Sequence, residues 1–101
     1  MVEVRNLSES DLDNAKYLTD SEDWGNSKSD WIRLFNMSIP LGAYHDDKLV
    51  GVTTAFDFGS LGMIGNVIVS DKFRGKDIGS KLVIEAKKRL ESCDSVRVHS
   101  N

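Results

Sequence analysis

Residues 67–80, VIVSDKFRGKDIGS, decide the fold, because an apolar strand passes through a basic, glycine-bearing turn directly into an amphipathic helix. Backbone N–H groups at a helix start have no intrahelical acceptor, and the helix dipole is positive there. A turn without bulky side chains before such a helix therefore predicts an anion-binding site, with phosphate as the expected ligand. The apolar face of the helix is indicated by a four-residue spacing of Ile78, Leu82, Ala86 and Leu90.

Two other phosphate-binding loops are excluded by spacing. A Walker loop needs a glycine five residues before its Gly-Lys pair and a serine or threonine after it, but Ser70 and Asp77 occupy those places. A dinucleotide-binding fingerprint needs its glycines between a strand and a helix. Gly59, Gly62 and Gly65 instead precede or lie within an apolar strand, which indicates turn and bulge residues.

The spacing of Arg74 and Gly79 after a strand resembles the pyrophosphate loop of the GNAT superfamily of N-acetyltransferases, whose pattern is Arg or Gln, two residues, Gly, one residue, and Gly or Ala. Asp77 departs from this pattern at the middle glycine. In that family the loop amides hold the pyrophosphate of acetyl-CoA, and the preceding strand hydrogen-bonds the pantetheine arm. The resemblance implies acetyl-CoA as cosubstrate, bound by Val67, Ile68, Val69, Arg74, Gly75, Lys76, Asp77, Ile78, Gly79, Ser80 and Asn101.

Within this loop, Asp77 admits two interpretations. A carboxylate near a pyrophosphate is repulsive, but aspartate is a good N-cap for a helix beginning at Ile78. We predict the cap role, with weaker cofactor binding as its cost. Arg74 and Lys76 either neutralise phosphate charge or lie exposed at a helix entry without a ligand, and the context favours the ligand role.

Patterns of alternation and helical spacing predict the order strand, helix, helix, three strands, helix, strand. This is the order of the first two thirds of the GNAT fold, which implies an α/β domain with a mixed, mostly antiparallel sheet and a β-α-β crossover. The last strand is then expected to run parallel to the strand before the phosphate loop. The predicted elements are a strand at Val2 and Val4, a helix capped by Ser8 and Asp11, a helix around Trp31 capped by Ser29 or Asp30, strands over residues 41–44, 49–58 and 63–69, the helix from Ile78, and a strand over residues 95–99.

Two local features of the predicted sheet concern side-chain direction. Strict alternation over residues 49–58 predicts one shared face for Val50, Val52, Thr54, Phe56 and Phe58. Asn66 either marks a bulge that turns backbone groups toward the thioester or is a solvent-facing strand residue.

The family usually continues into another helix and further strands, so the expectation is a single domain over residues 1–101 that is incomplete at its C-terminus. The family's usual tyrosine proton donor would lie beyond Asn101. Trp24, Trp31 and the strand at Gly62-Met-Ile-Gly65 also resemble a subgroup in which a second acetyltransferase-like domain follows. From its position in a polar loop, Trp24 is a candidate wall of the substrate site, whereas Trp31 is at core spacing.

The net charge of −3 conceals an asymmetry, since residues 1–30 carry eight acids and three bases while residues 72–101 carry eight bases and four acids. A basic cofactor side and an acidic amine side are one interpretation, and ordinary solvated faces are the other. The acidic balance argues against nucleic acid. A single cysteine, no apolar leader and no long apolar run predict a cytoplasmic protein without a membrane partner. No cluster has metal-ligand spacing, so no metal is expected.

No catalytic residue is assigned from the sequence. In the family, the two parallel strands splay apart to admit the pantetheine between them, and this fork is expected here. Of the titratable candidates for a general base, His99, Asp57 and Glu85, only His99 lies near it. Cys93 is expected to be a small buried thiol.

The leading hypothesis is an N-acetyltransferase that moves an acetyl group from acetyl-CoA to a primary amine, of a small molecule or a protein, by direct attack. The alternatives are a non-catalytic CoA-binding module and a module that self-associates, as a homodimer, through an uncovered sheet edge.

Overall fold

The computed structural model describes residues 2–21, 28–75 and 77–98, so the predictions for Trp24, Lys76, His99 and Asn101 lie outside the described residues. Three α-helices and five strands are described. The strands are β1 (Val2–Asn6), β2 (Ile39–His45), β3 (Lys48–Asp57), β4 (Leu61–Val69) and β5 (Ser95–Val98), and the helices are α1 (Leu12–Ser21), α2 (Lys28–Met37) and α3 (Ile78–Arg89).

The strands form one sheet in the order β1-β2-β3-β4-β5. Neighbours from β1 to β4 are antiparallel, and β5 pairs with β4 in parallel. Because α3 connects β4 to β5, it forms the β-α-β crossover that parallel neighbours require. The predicted α/β class, element order and parallel last strand are all confirmed.

Two hydrophobic clusters lie on the two faces of the sheet. The α1–α2 cluster contains Leu12, Ala15, Leu18 and Trp31 from the helices, packed against buried strand residues. The α3 cluster contains the predicted apolar face of α3 packed against the other side of the sheet. Trp31 is fully buried, which confirms its core role. The buried residues of the α3 cluster are Leu41, Ala43, Val50, Ala55, Ile64, Ile78, Leu82, Ala86 and Leu90.

The predicted cap is confirmed at the short 3-10 turn Glu9–Asp11 that leads into α1, and it also ties this end of the helix to the sheet. The Asp11 carboxylate accepts hydrogen bonds from the Ser8 backbone N–H at 3.1 Å and from the Ser8 hydroxyl at 3.0 Å. It accepts a further bond from the Tyr44 hydroxyl at 2.8 Å, and Arg5 lies 3.8 Å over the Tyr44 ring. One carboxylate thus stabilises the start of α1 and fixes it against β2.

A bulge in β3 overturns part of the face prediction. The β2–β3 register shifts between Ala43 and Tyr44, so that Val50 is an extra residue in β3. Val50 therefore packs in the α3 cluster, while Val52 packs in the α1–α2 cluster. The prediction of one shared face was wrong for Val50. The extra residue at a bulge shifts the alternation of side chains between the two faces by one position, so residues two positions apart across it lie on opposite faces.

Other boundaries differ slightly from the predictions. Helix α2 already includes Lys28, so Ser29 and Asp30 lie inside the helix and neither is its N-cap. Within the described residues, no helix has both the length and the apolar character needed to cross a membrane.

Candidate cofactor site

The segment between β4 and α3 is held by backbone bonds and one aromatic contact. The Ser70 N–H donates to the Val50 carbonyl at 2.8 Å, and the Phe73 N–H donates to the Ser70 carbonyl at 2.9 Å. Residues Asp71–Phe73 form a short 3-10 turn. The Phe73 ring lies 5.3 Å from the His45 ring, centroid to centroid. These contacts therefore fix the direction in which the loop leaves β4 on its way to α3.

The turn uses two left-handed residues, Gly75 with φ of 80° and Asp77 with φ of 60°. Glycine adopts such values without cost, and aspartate is one of the few side chains that tolerates them. Asp77 occupies the N-cap position of α3, but its side chain makes no cap hydrogen bond. The predicted cap role was wrong in this respect, because a left-handed N-cap departs from the extended backbone from which a side chain reaches the first-turn N–H groups.

The first turn of α3 has backbone N–H groups that no residue of the helix accepts. The Lys81 N–H bonds to the Asp77 carbonyl at 3.1 Å, so the first intrahelical bond leaves the N–H groups of residues 78–80 without an intrahelical acceptor. A Cβ built on Gly79 comes no closer than 3.8 Å to Val67 and 3.9 Å to Val69. Packing within the protein does not demand glycine at position 79, whereas a bulky ligand lying over this turn needs the space.

The three strand residues of the predicted site use their side chains for packing. Val67 and Val69 pack on the α3 cluster, and Ile68 is buried in the α1–α2 cluster. Only their backbone groups remain to bind a ligand. On the β5 side, strand pairing is described as far as Ile64 with Val98. In the described part of the chain, the β5-facing backbone of residues 65–69 has no strand partner.

Of the two interpretations of Asn66, the register agrees with a bulge at this point of β4. Pairing between β3 and β4 shifts between Val52 and Thr54, so that Thr53 stands opposite two residues of β4, 66 and 67. The extra residue disrupts the ladder and redirects the backbone at this point. The bulge and the phosphate loop belong to one continuous segment, and the bulge lies about four residues before the loop.

Arg74 is half-exposed at the loop and already engaged by protein groups. Its Nη1 lies 2.9 Å from Asp71 Oδ1, and its Nε donates to the Val69 carbonyl at 3.3 Å. An exposed ion pair of this kind contributes at most about 1 kcal/mol, so a phosphate can compete for the guanidinium. Ser80 is exposed on the first turn, whereas the side chain of Ile78 is buried.

Sequence reasoning missed two residues beside the bulge, Thr53 and Thr54. Both are fully buried, and both hydroxyls donate to the carbonyl of Gly65, at 2.8 Å and 3.1 Å. Two adjacent threonines in a strand that is otherwise apolar over residues 49–56 were the available signal, since buried hydroxyls need acceptors.

The described candidates for a base lie away from the bulge. Asp57 is at the far end of β3, where it accepts hydrogen bonds from the Gly59 N–H and the Cys93 thiol. Glu85 is ion-paired to Arg89 within α3. Desolvation, with the Asp57 carboxylate, raises the pKa of Cys93, so the thiol stays protonated near neutral pH. Among the described residues, no three His, Cys, Asp or Glu side chains are grouped to hold a metal ion.

Solved structures resemble this chain over its length. A ribosomal-protein-alanine N-acetyltransferase from Brucella melitensis biovar Abortus 2308 is 22% identical with a TM-score of 0.83, over 100% of this chain and 81% of that one. A transcriptional regulator from Bacillus halodurans C-125 is 20% identical with a TM-score of 0.81, over 100% and 83%. The PaiA N-acetyltransferase from Thermoplasma acidophilum, solved with coenzyme A, is 21% identical with a TM-score of 0.76, over 90% and 72%.

At these identities the structural neighbours show the shared fold alone. No curated protein sequence matches this chain. Residues 2–100 match the family model described as the acetyltransferase (GNAT) family. Since that match spans almost the whole sequence, this chain belongs to the GNAT acetyltransferase family.

Proposed function

We propose that this chain moves the acetyl group of acetyl-CoA directly to a primary amine. The observation that carries the proposal is the succession, within residues 65–80, of a strand bulge, a loop with two left-handed residues and an open helix start. Each part suits a different part of one elongated, anionic thioester. The solved complex of a structural neighbour with coenzyme A supports the same ligand.

The pyrophosphate is assigned to the N–H groups of residues 78–80 at the positive end of α3, with Arg74 at the edge. The pantetheine arm is assigned to the backbone of residues 67–69, because their side chains are committed to packing. When bound, acetyl-CoA supplies an activated acyl group: the amine nitrogen bonds to the carbonyl carbon, the C–S bond breaks, and a proton passes from nitrogen to the departing sulfur. Binding both reactants in this geometry supplies most of the rate enhancement.

Calorimetry with acetyl-CoA and CoA tests the site, using Gly79→Trp against a matched Gly79→Ala. The alanine Cβ meets only ordinary contacts at 3.8 Å and 3.9 Å, so this variant is expected to fold and bind. The indole fills the space over the first turn and is expected to abolish binding. Equal affinity of the two variants would place the ligand elsewhere. An amine panel with thiol detection then tests transfer in the wild-type chain.

The second candidate is a CoA-binding module without acetyl transfer. It is favoured by the positions of Asp57 and Glu85, since neither described candidate base lies at the bulge. This candidate predicts CoA binding in calorimetry and no thiol release with any amine.

A third candidate, self-association, rests on the position of β5 at the end of the sheet. Its outer edge has no strand partner in the described part of the chain, and open edges recruit other chains. Light scattering across a concentration series tests this candidate, and a monomer at high concentration would remove it.

A further inference from the structure

The end of the β2–β3 hairpin contacts the loop that leads to α3. The ring of His45, the last residue of β2, lies 5.3 Å from the Phe73 ring between centroids, with an angle of 49° between the ring planes. Aromatic rings favour tilted arrangements at separations of about 4.5–7 Å. We call these two rings the hairpin–loop contact.

Phe73 is the apolar anchor of this loop. It is the only large apolar residue in residues 70–75, and its side chain packs against the α3 cluster. The side chains around it, those of Asp71, Lys72 and Arg74, are exposed. The position of the Phe73 ring therefore governs where the loop backbone lies on the protein.

His45 is held in place by strands on both sides. It pairs with Val2 of β1 and with Lys48 of β3. Residues directly opposite each other in a sheet share a face. Because Val2 packs against the α3 cluster, His45 is on the face of the sheet that also carries Phe73. The paired strand thus presents the His45 ring as a fixed surface to the loop.

The hairpin turn beyond His45 restricts this position further. Only Asp46 and Asp47 connect the two strands, and both are left-handed, with φ of 51° and 64°. Two consecutive residues with positive φ are what the two-residue turn that best matches the twist of paired strands requires. Such a tight turn leaves the residue before it little freedom to move with the loop.

The loop needs this support more after Phe73 than before it. Before Phe73, the Ser70 N–H bonds to the Val50 carbonyl of β3 at 2.8 Å. After Phe73, the chain passes through Gly75, which is left-handed, and glycine has more backbone freedom than any other residue. A contact that orders this segment in advance lowers the entropic cost of binding a ligand there.

We propose that His45 is a positioning residue for the cofactor, and that its contact with Phe73 holds the loop before α3 in the conformation that receives the pyrophosphate of acetyl-CoA. The inference rests on the proposed function for its ligand and on the described geometry for the contact. His45 acts without touching the cofactor. Its effect passes through the Phe73 ring and the loop backbone.

The test compares His45→Ala, which removes the ring, with His45→Phe, which keeps an aromatic ring at the same position. In the ligand-free chain, NMR is expected to show an order parameter for the Phe73 amide that falls from roughly 0.85 to below about 0.6 in His45→Ala. His45→Phe is expected to retain the wild-type value. Since His45 is half-exposed at a strand end, both variants are expected to fold, and circular dichroism checks this.

Calorimetry with CoA measures the effect on binding. The dissociation constant is expected to rise about twofold to tenfold in His45→Ala, since an aromatic pair contributes a factor of this order and a partly populated competent loop weakens binding in proportion. His45→Phe is expected to stay within about twofold of the wild type.

Kinetics of acetyl transfer separate this role from a general loss of stability. The KM for acetyl-CoA is expected to rise by the same factor in His45→Ala with kcat unchanged, because the thioester lies at the other end of the cofactor. A purely structural role would instead lower the apparent kcat with the folded fraction and leave KM unchanged.

Phe73→Leu tests whether the two rings act together. Leucine keeps an apolar side chain against the α3 cluster and removes the ring. In this background, His45→Ala is expected to have little further effect on CoA binding, because the effects of residues in contact are not additive. Fully additive effects would show that His45 acts on the cofactor by another route.

Two other results would overturn the proposal: an equally ordered Phe73 amide in His45→Ala, or the same loss of binding in His45→Ala and His45→Phe. If His45→Ala does not fold, Phe73→Leu is read in the same way. Absence of CoA binding by the wild type would refute the proposed function, and with it the use of this contact in binding. The NMR result on the ligand-free chain separates that failure from a failure of the contact to order the loop.

Discussion

Asp77 makes the sharpest prediction about the proposed cofactor loop, because it places a carboxylate at a left-handed position directly before the start of α3, where we propose that the pyrophosphate binds. Its φ of 60° and ψ of 20° are values that glycine adopts freely and aspartate tolerates. The side chain makes no cap hydrogen bond that substitution would break. Replacing it therefore changes charge and backbone preference, and little else.

The electrostatic effect can be worked out from this position. For a pyrophosphate with two charges at the first turn, taken to be about 7 Å from the carboxylate, Coulomb's law at the dielectric constant of water gives a repulsion of about 1 kcal/mol. Screening at physiological salt, with a Debye length of about 8 Å, reduces it to about 0.5 kcal/mol. Removal of the charge is thus expected to tighten CoA binding about twofold to fivefold.

Three variants separate charge from backbone. Asp77→Asn removes the charge and keeps the tolerance for left-handed backbone, so it isolates the electrostatic term. Asp77→Gly is expected to match its affinity, whereas Asp77→Ala is expected to lower the free energy of unfolding by about 1 kcal/mol relative to Asp77→Asn.

Calorimetry at two salt concentrations measures the effect. At about 1 M salt the Debye length is near 3 Å, and the advantage of Asp77→Asn is expected to vanish. If Asp77→Asn bound CoA no more tightly than the wild type at low salt, the pyrophosphate would not lie at the start of α3, and the assignment of this loop would be refuted.

Three further predictions concern stability. Tyr44→Phe removes the hydroxyl bond to Asp11 and keeps the ring, and a loss of about 1 kcal/mol, or roughly 4–8 °C in Tm, is expected by thermal unfolding; an unchanged Tm would show that water replaces this bond. Partial burial raises the pKa of Asp11, but hydrogen bonds from Ser8 and Tyr44 outweigh it, and the pKa lies below the ordinary value of 3.8. The stabilisation from the Asp11 carboxylate is therefore complete above that pH and is lost as the pH falls below it. In an acid titration, the free energy of unfolding of Asp11→Asn is expected to depend less on pH than that of the wild type. Equal slopes for the two proteins would contradict this. Gly51→Ala places a Cβ 3.1 Å from the Leu82 side chain and is expected to cost about 1–3 kcal/mol, measured by urea unfolding against other glycine-to-alanine variants.

Much of the site was predictable because it is local in sequence. The start of α3, the turn before it and the apolar face beyond it lie within one continuous segment, and helical spacing does not depend on distant partners. The cap at Asp11 is local in the same sense. Its bond to Tyr44 was not predictable, since the two residues are 33 positions apart and meet only when β2 packs under α1.

The failures have separate causes, and the first is that side-chain direction in a sheet depends on register. The sequence predicted the wrong face for Val50, because no pattern in residues 49–58 indicates that β3 has an extra residue opposite β2. Asp77 was expected to cap α3 because aspartate commonly does so, whereas the path of the preceding turn gave it a left-handed backbone.

By itself the sequence determined the α/β class, the order of its elements and the position at which α3 begins after a glycine-bearing turn, because these follow from composition, spacing and backbone chemistry along a single segment. Only the tertiary structure decided where the bulges fall, which face each β3 residue takes and that Thr53 and Thr54 meet at the carbonyl of Gly65. The physical reason is that a strand has no internal hydrogen bonds. Its register, and therefore the direction of every side chain and peptide group in it, is set by the strands and helices that pack against it.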